Sequence, residues 1–206
     1  MNKTLGFAAC ALLLATSHAS FAASTVDLTV KGLIVPSACV PALDGGGTID
    51  IGKISAKDLN QDTSPQVASN TLQMTVTCEG KTLIALNAID NRAGSAIDTD
   101  GYGLGLINSN QKLGKYTLGL LNPQADSVAA QTIASTDGGL TWGQGSDWTP
   151  GLYMSVAAPS DLSVPIPVQI WNVELVVNTI IAAASTLDLT NEVRIDGLST
   201  LEVKYL

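Results

Sequence analysis

The chain is 206 residues long, 46% hydrophobic, only 14% charged and 4% aromatic, with a net charge of −8 at pH 7. That length suits one domain or at most two small ones. With only 10 Lys and Arg and no basic run, the chain lacks the positive surface that nucleic-acid binding requires.

Met1-Asn2-Lys3-Thr4 is a short positive stretch, followed by an apolar run over residues 5–15 and a small-residue tract. Ser20 and Ala22 have the spacing that signal peptidase accepts. Residues 1–22 therefore read as a secretory signal peptide cleaved after Ala22, too short to span a bilayer. His18, Phe7, Phe21 and Cys10 all fall inside it, so the remainder has no histidine and no phenylalanine. That excludes Ser-His-Asp and Cys-His nucleophilic devices and every His-ligated metal site. Cys39 and Cys78 remain, and in an exported chain they most simply form one disulfide.

Beyond the leader, apolar residues recur by twos, the period of a half-buried strand. Ser24, Val26, Leu28 and Val30 share one face, opposite Thr25, Asp27, Thr29 and Lys31. Leu33-Ile34-Val35 leads into Cys39, and Thr48-Ile49-Asp50-Ile51-Gly52 reads as a short strand closed by a turn glycine. Leu72, Met74, Val76 and Cys78 alternate with Gln73, Thr75 and Thr77. Residues 83–89, 103–107 and 116–121 read as further strands, with turn clusters at 108–110 and 136–139. Residues 127–134 are the exception and suit a helical turn. The apolar stretch 164–184 is interrupted by Pro165, Pro167, Gln169, Asn172, Glu174 and Asn178, which would be costly in hydrocarbon, so it is not expected to span a membrane. In the last strand Val193, Ile195, Leu201, Val203 and Tyr205 face one way, and Arg194, Asp196, Thr200, Glu202 and Lys204 the other. Many short strands with no linker or repeat argue an all-β antiparallel sandwich.

Few residues invite chemistry. Asp98-Thr99-Asp100-Gly101 is a fragment of a calcium loop without the later bidentate glutamate, so a solvated turn is expected and no metal. Asp50, Asp58 and Asp62 would have to lie ~5–10 Å apart to act as a glycosidase pair. No catalytic residue is assigned, and neither enzymatic activity nor a cofactor is expected. Trp142, Trp148 and Tyr153 crowd a glycine-rich segment, where they either stack on sugar rings or plug the end of the sandwich. They make an exported carbohydrate-binding or adhesin-like module, with a host or surface glycan as partner, the alternative function.

Several segments carry a resemblance in order. They are residues 30–39, ending Pro36-Ser37-Ala38-Cys39, then Ile49-Asp50-Ile51-Gly52-Lys53-Ile54 and residues 72–80 around Cys78. Gly103-Leu104-Gly105-Leu106-Ile107 and the terminal residues 196–206 complete the set. Together they resemble the pilins of the chaperone–usher pathway and, more narrowly, a pilin-like family of uncharacterised periplasmic proteins. The resemblance implies an incomplete immunoglobulin-like sandwich over residues 31–206, preceded by a donor-strand extension over residues 23–30. It implies that Ser24, Val26, Leu28 and Val30 insert into a neighbouring subunit. Val193, Ile195, Leu201, Val203 and Tyr205 would form the strand contacted by a periplasmic chaperone and by the next subunit. An outer-membrane usher would then join subunits head to tail into a fimbria on the cell surface.

Overall fold

The structure, a computed structural model, describes residues 28–31 and 38–206. The chain divides into two compact units, Met1–Ile34 and Val35–Leu206. The expected signal peptide and the donor residues Ser24 and Val26 lie outside the described residues. Leu28 and Val30 are 89% and 87% exposed, and residues 28–31 form no strand.

The second unit is built from strands β1 (Cys39–Leu43), β2 (Gln66–Thr82), β3 (Ile84–Asp90), β4 (Tyr102–Gly103), β5 (Leu106–Ile107), β6 (Gln111–Lys112) and β7 (Gly114–Ala125). They continue as β8 (Val128–Ala129), β9 (Gln131–Ser135), β10 (Gly143–Gln144), β11 (Asp147–Trp148), β12 (Tyr153–Ala157), β13 (Val168–Ile181) and β14 (Ser199–Tyr205). One sheet runs β1-β2-β13-β7-β11, with β4 and β8 also on β7, and the second runs β10-β9-β12-β3-β14. All pairings among the described residues are antiparallel. The fold is therefore all-β and consistent with an immunoglobulin-like sandwich.

Period-two alternation explains the central strands. In β2, Met74, Val76 and Cys78 are buried while Gln73, Thr77 and Glu79 are exposed. In β13, Trp171, Val173, Leu175, Val177, Thr179 and Ile181 point inward. Their outward neighbours are joined by polar side-chain bonds across the strands, Thr75 to Asn172 (2.8 Å) and Ser69 to Asn178 (2.7 Å). No helix among the described residues is long and apolar enough to cross a membrane.

Four expectations are corrected. Residues 127–134 form β8 and β9 rather than a helical turn. Asp126 and Ser127 take left-handed φ values of 50° and 67°, and the Asp126 carboxylate accepts the Gln169 and Ile170 N–H groups, turning the chain back on β7. Thr48–Gly52 is not a strand: Asp50 Oδ1 accepts the Gly52 N–H at 2.8 Å, a local bond that competes with ladder pairing. The strand expected over 103–107 is split into β4 and β5 by Gly105 at φ 88°. The last strand begins at Ser199 rather than Val193, because its partner β3 ends at Asp90.

Candidate functional site: an open groove at one edge of the sandwich

β1 and β14 are the edge strands of their sheets, and they meet at one end. There the Cys39 N–H donates to the Tyr205 hydroxyl at 2.9 Å. Cys39 and Cys78 stand opposite each other in the ladder and are joined by the disulfide. Glu79 N–H bonds Ala38 O beside them, so they occupy a non-hydrogen-bonded position, where facing side chains lie closest. This end of the sandwich is closed.

The other end is not. β1 stops at Leu43, where Gly45, Gly46 and Gly47 all take left-handed φ and lead the chain off the sheet. β1 therefore pairs only Met74–Cys78 of β2, leaving residues 66–73 without a strand on that flank. The connection 44–65 runs there instead, tied to β13 and its exit by bonds from Ile181 N to Pro65 O and from Ala184 N to Asn60 O. Between this connection and the segment entering β14 lies a groove of about 790 Å³. Ile49, Ile51 and Ile54 line one wall, Leu175 and Val177 the floor, and Val193 and Leu201 the other wall. Asp50, Lys53, Glu192 and Arg194 also border it, so its charges are of both signs while its interior is aliphatic. Such a lining accepts apolar side chains and offers no charged ligand a uniform field.

Among the described residues, no strand pairs with the adjoining outer edge of β14. Leu206 N bonds Leu83 O, and Asn91 N bonds Leu198 O. By strand alternation, the even-numbered residues of β14 turn their backbone groups to β3. Leu201, Val203 and Tyr205 turn theirs to the free edge. In the groove lining, Tyr116 stacks on Tyr102 with ring centroids 5.3 Å apart and bonds Ser199 Oγ through its hydroxyl. Burial pushes the Tyr116 phenol up to about 12, so it stays a neutral hydrogen-bonding group. Gly197 lies so close that a Cβ there would sit 2.9 Å from Tyr116 Cε1.

Of the residues singled out in the terminal strand, Val193, Ile195 and Leu201 line the groove, and Val193, Leu201, Val203 and Tyr205 are part-buried against the core. The aromatic segment does not form one platform. Trp148 is 1% exposed, its indole N–H donating to Leu152 O at 3.1 Å, so its ring faces are covered by the core. Trp142 and Tyr153 are half-buried and close with Leu206 around Gly139. Asp98 and Asp100 converge on the nearly buried Lys115 ammonium. Asp50, Asp58 and Asp62 are all exposed, and no metal-binding cluster of His, Cys, Asp or Glu occurs among the described residues.

Sequence reading did not anticipate the fork between Arg92 and Asp196, which are 104 residues apart in the chain. Both are charged residues in segments without helical spacing, so no local pattern couples them.

Residues 28–112 match the family described as a protein of unknown function (DUF1120), a region that contains the disulfide and the isoleucine wall of the groove. Two proteins of Escherichia coli (strain K12) are similar over nearly their whole lengths. "Uncharacterized protein YhcF" is 26% identical over 223 residues, spanning 90% of this chain and 92% of YhcF. "Protein GltF" is 24% identical over 254 residues, spanning 100% of this chain and 99% of GltF.

Proposed function

We propose that this protein is a non-enzymatic structural subunit of a surface fimbria, exported to the periplasm and assembled by donor-strand exchange. The observation that carries this reading is the aliphatic groove lying beside an edge of β14 that no other described strand pairs. An unpaired edge over an open apolar interior is an aggregation hazard unless another strand covers it. β14 is seven residues long, and residues 24–30 supply a segment of equal length with alternating apolar side chains. Val26, Leu28 and Val30 buried in the groove of a second copy would contribute about 1.5–3 kcal/mol each before ordering costs. Main-chain bonds to Leu201, Val203 and Tyr205 would set the alignment. Because the donor segment and the groove are different surfaces, such contacts repeat head to tail and build a filament. A periplasmic chaperone fills the groove first and an outer-membrane usher exchanges it, as the resemblance to pilins implies.

The carbohydrate-binding alternative is weakened by the burial of Trp148, which leaves Trp142 and Tyr153 as the half-buried rings of that segment. Deleting residues 24–30 should leave chaperone co-purification intact and abolish polymers seen by electron microscopy. Normal fibres from that deletion would sink the proposal.

A further inference from the structure

One wall of the groove is built differently from the rest. Residues 192–198 form no strand, and among the described residues two backbone bonds hold them: Asp196 N–H to Leu104 O (3.1 Å) and Asn91 N–H to Leu198 O (2.9 Å). Part-buried Val193 packs against the core, and a side-chain fork adds a further tie. Arg92 Nη2 donates to Asp196 Oδ1 (2.9 Å) and Oδ2 (2.8 Å), and Arg92 Nε donates to Oδ2 (3.1 Å) and to Asp196 O (3.2 Å). The two side chains are 33% and 62% exposed, so the fork opens without stranding a buried charge.

The same segment also borders a second, open hollow of about 680 Å³. It shares Leu104, Glu192, Val193, Arg194 and Ile195 with the groove. Residues 192–195 thus line both hollows. The floor residues Leu175 and Val177, in contrast, belong to a central strand paired on both sides. Gly197 marks where the wall becomes fixed, because its backbone lies directly against Tyr116 and Leu104.

We propose that residues 192–196 are a movable wall of the groove, latched by Arg92 on Asp196, which swings toward the second hollow when a strand enters. The identity of the entering strand rests on the donor-strand reading above, but the latch does not. Unlatching costs a bidentate ion pair and one backbone bond. It returns groove width and frees the backbone of residues 193–195 to pair with the incoming strand beyond the end of β14.

Hydrogen exchange on the full chain, with and without Arg92→Gln, tests the latch. The Asp196 amide should exchange about tenfold faster or more in the variant, with Glu202 and Lys204 in the β14–β3 ladder unchanged. The charge-swapped double variant, Arg92→Asp with Asp196→Arg, should restore protection. A synthetic peptide of residues 24–30 should associate faster with Arg92→Gln than with the unaltered chain. Unchanged exchange at Asp196 overturns the latch, and faster exchange with unchanged peptide association overturns its link to the groove. A peptide that binds neither chain overturns the donor-strand reading, while exchange at Asp196 still decides the latch.

Discussion

Asp137 gathers a whole loop around one carboxylate. It accepts bonds from Ser135 Oγ (2.7 Å), Leu140 N (3.1 Å), Thr141 N (2.9 Å) and Thr141 Oγ (2.6 Å). The Thr141 hydroxyl, followed by Ser135 and the backbone donors, holds its pKa well below the ordinary aspartate range. A depressed carboxylate stabilises the fold at every pH above its unfolded value, near 3.9. That contribution is lost as pH falls through the depressed value, so the loop should persist at about pH 4 and loosen only in stronger acid. Thr141→Val should move the Asp137 titration, followed by carboxyl carbon NMR, upward toward ordinary aspartate; an unmoved titration contradicts the assignment. The same loop carries Trp142, and here the sequence was only partly legible. The crowding of aromatics is visible in the chain, but β11 is two residues long and shows no period that would tell core ring from surface ring. Burial distinguishes them: Trp148→Ala should cost about 3–5 kcal/mol in urea denaturation, and Trp142→Ala well under half of that. Equal losses would contradict this division.

At the scale of elements, the strands that alternate cleanly are the ones legible in advance. β2 and the second half of the last strand alternate polar and apolar side chains, and β3 and β7 do so apart from exposed Ile89 and Leu121 and buried Lys115. β13 is less plain, because Val176 and Ile180 on its outer side turn the alternation into an apolar run. Residues 193–197 fail for another reason. Their alternation is sound, but a strand needs a neighbour, and β3 ends at Asp90. The glycine turn after β1 had the opposite effect, cutting short a strand whose cysteine was easily placed. The disulfide holds β1 to β2 beside the Tyr205 contact and closes a loop with a sequence separation of 39. Replacing Cys39 and Cys78 by Ser should lower stability by about 2–5 kcal/mol, measured by denaturant unfolding of the oxidised protein and the variant. A loss below that range would mean that β1 is held mainly by its ladder.

For the whole molecule, the groove is the feature that no single segment announces. It needs β1 to stop at Leu43, residues 66–73 of β2 to go on beyond it with β13 alone as described partner, and β14 to occupy the facing edge of the other sheet. These are facts of topology, legible only once both sheets are assembled. What the sequence does display is the complementary object, the alternating residues 24–30. The two fit each other if the outer edge of β14 pairs with residues 24–30 of another copy. Hydrogen exchange at the Leu201 and Val203 amides, followed as the chain is titrated with a peptide of residues 24–30, tests this most directly. These two N–H groups face the edge, so they should slow by about tenfold or more on binding, and a scrambled peptide should leave them untouched. Unchanged exchange at both amides with the peptide in excess would contradict the account.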